Sequence, residues 1–212
     1  PTLFEHDPVN PSLYHAIRNQ PSISFNQGSW FGGVGLTQAG YNFEKNDMIT
    51  HFGFKYSGIT DLEFRNESPS DSPLSYFSSF GLSFDAGKAI IRDNQRYGIS
   101  ISYVHFGVFT YESKGFGLNF GYTRDLLNKI KVGAVIQNVG KMSKLRTDEI
   151  LLPQRILVGC TKEFKFNQIK NSVYTSIEKN SLMSSAKIHL GNHFNWTRFN
   201  LYSGFSFSKD VL

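Results

Sequence analysis

The sequence predicts an all-β protein, a transmembrane antiparallel up-and-down β-barrel, and two observations lead to this prediction. First, residues 115–124 read GFGLNFGYTR, so Phe116, Leu118 and Phe120 point to one face while glycine, asparagine and threonine point to the other. Second, the weaker face carries small residues, whereas a soluble β-sandwich usually covers its outer face with Lys, Glu and Thr. A face of Gly, Ser and Asn suits a crowded barrel interior, with the aromatic face turned towards lipid.

Similar alternation along the chain predicts about twelve strands. Most of them are near the ~10 residues that a tilted strand needs to cross a bilayer. The predicted strands cover residues 22–25, 33–41, 48–56, 59–64, 76–86, 97–107, 116–123, 130–139, 155–164, 173–179, 186–196 and 199–207.

We expect a single outer-membrane barrel domain over residues 1–212, with an irregular N-terminal segment over 1–21 and barrel strands over 22–212. No stretch approaches the ~20 apolar residues of a membrane-spanning helix, and the mean hydropathy is -0.29, so the chain would cross a bilayer as strands. The opening residues have neither a basic start nor an apolar core. We therefore expect either a processed mature form or a longer natural N-terminus.

Composition and charge argue against several classes of function. Aromatic residues make up 15% and charged residues 18% of the chain, against roughly 25% charged residues in soluble domains. The net charge is +5, but the basic residues are scattered and many, such as Lys88, Arg92 and Arg96, fall at predicted turns, so we expect no nucleic-acid partner. The single cysteine, Cys160, excludes an intrachain disulfide and a CxxC motif.

The predicted connections alternate in length, and this alternation gives a topology. Residues 124–129 and the link between Lys88 and Arg96 are compact, whereas residues 66–73 and 140–153 form long polar loops. Outer-membrane barrels have short periplasmic turns and longer extracellular loops. Aromatic residues near the predicted strand ends could form interfacial girdles, and in a soluble β protein they would belong to the core.

Catalysis and metal binding find little support in the sequence. His189 and His193 stand four apart, but the glutamate of a zincin HExxH motif is absent and the local alternation indicates a strand. Both histidines then line the polar inner face, as Asn119 does. His51 and His105 lie in other alternating strands, with no Gly-x-Ser-x-Gly motif or Ser/His/Asp arrangement. We expect no catalytic residues, no metal and no cofactor.

Several segments, taken in order, resemble the PorV/PorQ family of outer-membrane barrels, relatives of the FadL transporters of hydrophobic compounds. Residues 9–16, VNPSLYHA, resemble the family's Asn-Pro-Ala-Gly-Leu element, with Ser12 and Leu13 in place of Ala-Gly. Residues 117–142 and LLPQRILVG at 151–159 resemble its strand, short turn, strand ending in Gln-Asn-Leu-Gly, and loop closed by Leu-Pro. The likeness spans nearly the whole chain.

This resemblance implies about fourteen strands and a closing aromatic-rich strand. Because the chain stops at FSKDVL directly after a predicted strand, we expect a C-terminal truncation. An open edge in lipid would leave backbone groups unpaired, at several kcal/mol for each group.

The resemblance also implies a function, that of a non-enzymatic barrel of the bacterial outer membrane. Family members of the PorV type take part in type IX secretion, where they receive cargo through its C-terminal signal domain and pass it to a surface attachment complex. The expected partners are membrane lipid and secreted cargo proteins or other components of the secretion system. The candidate partner-binding loop residues are Glu67, Asp71, Lys141, Lys144, Arg146 and Asp148.

Two alternatives remain open from the sequence. One is a FadL-like transporter of a small hydrophobic compound, although about twenty residues before the first strand are few for a plug-like hatch. The other is a soluble periplasmic β-barrel that binds a ligand in its interior, which would partition away from membranes without detergent.

Overall fold

The computed structural model describes residues 10–16, 20–65 and 71–209, and these contain one antiparallel sheet of eleven strands. The strands are β1 (Ser22–Trp30), β2 (Val34–Lys45), β3 (Met48–Phe64), β4 (Ser75–Arg92), β5 (Gln95–Val108), β6 (Tyr111–Asp125), β7 (Ile130–Met142), β8 (Arg155–Phe166), β9 (Ile169–Asn180), β10 (Lys187–Trp196) and β11 (Phe199–Ser208). Short 3₁₀ turns cover Pro11–Leu13, Phe31–Gly33 and Leu127–Lys129.

Each strand pairs with the next along the chain, so the sheet has the up-and-down order that the sequence predicts. β1 and β11 are the two edges of the described sheet. This all-β arrangement is compatible with an outer-membrane β-barrel. Among the described residues, no helix is long and apolar enough to span a membrane.

The predicted count of twelve strands is wrong by one, because residues 48–56 and 59–64 form the single strand β3. The register between β3 and β4 shifts between Ile59 and Leu62, and Asp61 has φ 59°. These are the features of a β-bulge, which bends a strand without ending it. The sequence pattern resembles a turn at this point, but pairing with β4 resumes on the far side.

The connections divide into two classes that lie at opposite ends of the sheet. At one end, which we call the short-turn end, residues 46–47, 93–94, 126–129, 167–168 and 197–198 connect the strands. At the other, the long-loop end, the connections are residues 31–33, 65–74, 109–110, 143–154 and 181–186. Asn46 and Asp47 both have positive φ, as a two-residue type I′ hairpin requires.

One predicted turn is much longer than the real one. β4 continues to Arg92 and β5 begins at Gln95, so only residues 93–94 form the turn, and Lys88 and Arg96 belong to strands. Lys88 is exposed and pairs with Ile99 across the ladder.

The two faces of the sheet differ sharply. The face that we call the outer face carries large exposed side chains, such as Phe116, whose exposed fraction is 58%. Neighbouring strands place aromatic rings side by side there: the ring centroids of Phe54 and Phe84 are 5.2 Å apart, as are those of Tyr103 and Phe116. The opposite, inner face carries the buried residues, and Asn119 is 7% exposed.

Apart from Leu152, the buried apolar residues of the described chain form two small clusters, both on the inner face. Val135, Leu157 and Tyr174 pack together on β7, β8 and β9. Ile49 and Ala89 pack against Tyr14 and Ala16, which belong to the stretch of residues 10–16 that we call the N-terminal segment. The inner face is therefore covered in part by the chain's own N-terminal segment.

Candidate functional site

The N-terminal segment lies against a seat of glycines on the inner face. A Cβ atom added at Gly98 would overlap the backbone of Pro11 and Ser12, and one at Gly121 would overlap the side-chain oxygen of Asn10. Gly87 is the third such position, because its Cβ would lie 2.8 Å from the ring of Tyr14. The small residues that give this face its weak alternation thus make room for another part of the chain.

Hydrogen bonds hold the segment on that seat. The Asn10 side-chain oxygen accepts from the backbone N–H of Ser12 at 3.0 Å and from the Ser12 hydroxyl at 2.8 Å. The oxygen atoms of the Ser12 and Thr123 hydroxyls are 3.3 Å apart, which links the segment to β6. Asn10, Ser12 and Thr123 are all buried, so these bonds replace contacts with water.

Tyr14 anchors the other end of the segment. Its ring stacks on His51, with centroids 4.1 Å apart and an interplanar angle of 18°. Burial raises the pKa of the Tyr14 hydroxyl to about 12, with the Asp85 carboxylate acting in the same direction and a hydrogen bond with Ser100 acting against it. The hydroxyl is therefore held in its neutral, hydrogen-bonding form.

Asn119 lies on the inner face at the centre of a polar network. Its amide nitrogen donates to the hydroxyls of Ser100 and Ser102, each at 3.0 Å. Its amide oxygen accepts from the backbone N–H of Asn138 at 2.9 Å, at the point where the register between β6 and β7 shifts. Asn119 therefore secures a bulge, a role that its alternating position in the sequence does not reveal.

His189 belongs to a second inner-face network that crosses several strands. The Arg155 guanidinium binds both Glu178 carboxylate oxygens, at 2.8 and 2.9 Å. His189 Nε2 lies 3.0 Å from Glu178 Oε2 and its Nδ1 lies 2.7 Å from the Ser206 hydroxyl. Since a carboxylate only accepts, Nε2 carries the proton that bonds Glu178. A bidentate pair of this kind fixes the geometry of its strands.

His193 shares that face but not that network. Its ring stacks on Tyr202 with centroids 4.2 Å apart, and its Nε2 lies 3.0 Å from the side-chain oxygen of Asn200. His105 lies on the outer face, where its Nε2 is 3.1 Å from a Glu112 oxygen. In the described part of the chain, no group of three or more His, Cys, Asp or Glu side chains could hold a metal ion.

The loop of residues 143–154 is fixed to the sheet at both of its ends. At its start, the backbone N–H of Ser143 donates to the Lys114 carbonyl at 2.7 Å, and the Ser113 hydroxyl donates to the Ser143 carbonyl at 2.6 Å. At its end, the Asn138 amide donates to the Pro153 carbonyl at 2.9 Å, and Leu152 is buried. The loop is therefore anchored to the sheet at both of its ends.

The middle part of the loop carries three of the predicted partner-binding residues. Lys144, Arg146 and Asp148 are exposed, and a small turn between Leu145 and Asp148 has hydrogen bonds of 3.0 and 3.1 Å in the two directions. The Arg146 guanidinium lies 5.7 Å from the ring centroid of Tyr111, on β6 next to the β5–β6 turn. The structure brings these three residues together on one loop.

The other three predicted loop residues are placed differently. Lys141 is not in the loop, because β7 continues to Met142 and pairs Lys141 with Phe116. The prediction ended the strand at Val139, since glycine and lysine at 140 and 141 favour a turn in sequence, whereas the ladder with β6 continues through them. Asp71 is exposed on the loop of residues 65–74, and Glu67 lies outside the described residues.

The long-loop end also carries an aromatic cluster that the sequence analysis missed. Phe109 stacks on Phe64 and meets Phe77 edge-on, and both pairs of ring centroids are 5.6 Å apart. The bulge at Asp61 brings Phe64 into this position, because it moves the side chains beyond it to the opposite face. Alternation cannot reveal such a cluster, since it assumes an unbroken period of two.

No protein-family model matches the chain, and no curated protein is significantly similar to it.

Proposed function

We propose that the protein is a non-enzymatic barrel of the bacterial outer membrane that binds a secreted protein partner at its long-loop end. The observation that carries the proposal is the loop of residues 143–154. It is anchored at both ends by buried or ordered contacts, yet its middle presents Lys144, Arg146 and Asp148, and Leu151 with 68% of its surface exposed. A loop fixed in this way presents charged and apolar groups at little further cost in entropy on binding.

The outer face supports a membrane location. Rings and aliphatic side chains cover it on consecutive strands, and soluble monomers rarely expose apolar patches of more than a few hundred Å². Aromatic pairs flank it near the short-turn end, with ring centroids 5.2 Å apart for Tyr97 and Tyr122 and 6.4 Å apart for Trp196 and Phe199. Such rings suit the boundary between lipid and water.

The inner face supports a binding role in preference to catalysis. Glu178 is paired with Arg155, and Asn119 has three hydrogen bonds, so these buried groups act as cross-links between strands. The secretion role itself rests on the resemblance of residues 9–16, 117–142 and 151–159 to the PorV/PorQ family. Under that resemblance, the partner is a cargo protein carrying a C-terminal signal domain.

The proposal is tested by changing the loop while keeping its anchors. A Lys144→Ala, Arg146→Ala, Asp148→Ala triple variant should bind a purified cargo signal domain about tenfold more weakly, because it loses the charged contacts. The matched control is Lys129→Ala with Arg198→Ala, which removes charges at the short-turn end. Affinity is measured by surface plasmon resonance on the detergent-solubilised full chain.

Two results would contradict this function. Equal affinity for the triple variant and the unaltered chain would remove the loop from the binding site. Weaker binding in the short-turn control alone would indicate that the partner contacts the short-turn end of the sheet.

The second candidate function is transport of a small hydrophobic compound, and one observation favours it. The N-terminal segment occupies the inner face as a short plug would, with seven described residues over three glycines. The Phe64, Phe77 and Phe109 cluster gives an apolar surface at the long-loop end, where such a compound would arrive.

A further inference from the structure

A polar cleft lies on the inner face of β1, β2 and β3, beside the N-terminal segment. Its volume is about 340 Å³, which falls at the small end of the range for ligand pockets in proteins. Its surface is about half polar and half apolar; Leu13 and Phe54 contribute to the apolar part, and the polar side chains are chiefly Ser24, Asn26, Gln38, Asn42, His51 and Lys55.

The strand register explains how the cleft forms. Asn26 pairs with Gln38, which pairs in turn with Lys55, so these three side chains form one row across the sheet. The next row of the inner face consists of Ser24, Gly40 and Gly53, each two residues away on its strand, and two of those positions have no side chain. The glycines therefore form a floor.

A second wall closes the other side of that floor. It consists of Asn42 and His51, which are paired across β2 and β3, and of Tyr14 stacked on the histidine. The His51 Nδ1 lies 2.7 Å from the Asn42 side-chain oxygen, and since an amide oxygen only accepts, Nδ1 carries the proton. The neutral ring then presents Nε2 as a hydrogen-bond acceptor.

The row of Asn26, Gln38 and Lys55 forms the opposite wall, and with Ser24 it offers hydrogen-bond donors to the cleft. The side chains of Ser24, Asn26 and Gln38 line the cleft and are exposed. The Lys55 ammonium lies 4.0 Å from Asp85, an ion pair at the limit of direct contact. The Asp85 carboxylate borders the floor of the cleft, because its Oδ2 lies 3.4 Å from the position of a Cβ at Gly53, and a bound anion would share Lys55 with it.

We propose that this cleft binds a small hydroxylated carboxylate. Lys55 would meet the carboxylate, with the amides of Asn26 and Gln38 as further donors. His51 Nε2 would accept a hydrogen bond from a hydroxyl of the ligand. A volume of about 340 Å³ limits the cleft to a small ligand. This site is distinct from the loop that binds the protein partner.

The first test varies the charge of the ligand and of Lys55. Gluconate and lactate are titrated separately into the detergent-solubilised full chain by isothermal calorimetry, with glucose as the uncharged probe. At least one acid should bind saturably and more tightly than glucose, and Lys55→Met should weaken it about tenfold or more. The matched control, Lys88→Met, removes a lysine from the outer face of the neighbouring strand and should leave the affinity unchanged.

The second test adds a methyl group to the glycine floor of the cleft without changing any charge. A Cβ at Gly53 would lie 2.8 Å from His51 Nε2, so Gly53→Ala should displace that ring and weaken binding about tenfold while Lys55 remains. Gly81→Ala is the control on β4, because its Cβ would lie 3.4 Å from the Ser57 hydroxyl, an ordinary contact. Thermal unfolding of both variants establishes that they fold.

Three results would overturn the proposal. One is that neither acid binds saturably at about 10 mM, a concentration that reveals even weak sites. Another is that glucose binds as tightly as the acids or that Lys55→Met has no effect, which would remove the carboxylate contact. The last is that a folded Gly53→Ala variant keeps full affinity, which would place the ligand outside this cleft.

Discussion

At the scale of single residues, Tyr14 links the docking of the N-terminal segment to the ionisation of its own hydroxyl. Its side chain is 6% exposed, stacks on His51 and shares a hydrogen bond with Ser100. Forming a phenolate there would bury a charge next to the Asp85 carboxylate. The segment can therefore stay docked with a neutral tyrosine more easily than with a charged one.

A pH dependence follows from this coupling. The pKa of Tyr14 is raised from 10.0 to about 12, so its contribution to stability is complete below pH 10 and is lost as the pH rises towards 12. The full loss corresponds to about 3 kcal/mol. We expect Tyr14→Phe to reduce the fall in unfolding free energy between about pH 9 and pH 11.5, measured by urea denaturation in detergent. Tyr76→Phe on the exposed surface is the control, and equal slopes for both variants would contradict the coupling.

At the scale of the strands, the sequence predicts well which strands exist and in which direction they run. It predicts poorly where a strand bulges and where it ends. Alternation identifies the turn at Asn46 and Asp47, because hairpin chemistry is local. It splits β3 at the bulge near Asp61 and ends β7 too early at Val139, since ladder pairing with a neighbouring strand decides both points. A bulge disrupts the hydrogen-bonded ladder locally, and whether the strand continues beyond it depends on pairing with the partner strand.

Because alternation does not reveal such irregularities, it also cannot choose the control residue for a test of which sheet face meets lipid. An arginine at Asn119 would be a natural control for one at Leu118 from alternation alone, but Asn119 is buried and holds three hydrogen bonds. Breaking that network carries its own cost. A control on the inner face needs an open position.

β10 offers a better pair at mid-strand, Leu190 on the outer face and Gly191 on the inner face. The atoms nearest to a Cβ at Gly191 are 3.7 Å away, so a side chain can be added there. Leu190→Arg should cost roughly 2 to 4 kcal/mol of folding free energy in lipid vesicles if the outer face meets the bilayer midplane, and Gly191→Arg much less. Urea titration of both variants measures the difference. Costs of equal size would argue against a lipid-facing outer surface.

At the scale of the whole molecule, long-range contacts decide what occupies the inner face. The glycine-rich face was visible in the sequence as a crowded interior, and the structure shows that part of the crowding comes from Pro11 and Ser12. Gly98 and Gly121 lie far from these residues along the chain, so no local pattern joins them. The polar cleft beside β1 was missed for the same reason, because its walls come from three strands and the N-terminal segment.

This arrangement separates the two candidate functions by whether the N-terminal segment must move. A binding barrel works with the segment in place, whereas a transporter must displace it to open a path along the inner face. The hydroxyl oxygens of Ser12 and Thr123 are 3.3 Å apart, so cysteines at these two positions would have their sulfur atoms close together. A Ser12→Cys, Thr123→Cys variant on a Cys160→Ser background would lock the segment to β6 under oxidising conditions.

We expect oxidation of the locked variant to leave capture of the cargo signal domain unchanged, because the loop of residues 143–154 lies at the long-loop end and does not depend on segment movement. Uptake of a fluorescent fatty acid by cells expressing the variant should stay at background with or without reductant. The Thr123→Cys single variant controls for the substitution, since it cannot form the cross-link. Uptake that appears on reduction and disappears on oxidation would favour transport, because it would show that the segment gates a path. Loss of capture on oxidation would mean instead that partner binding requires the segment to leave its glycine seat.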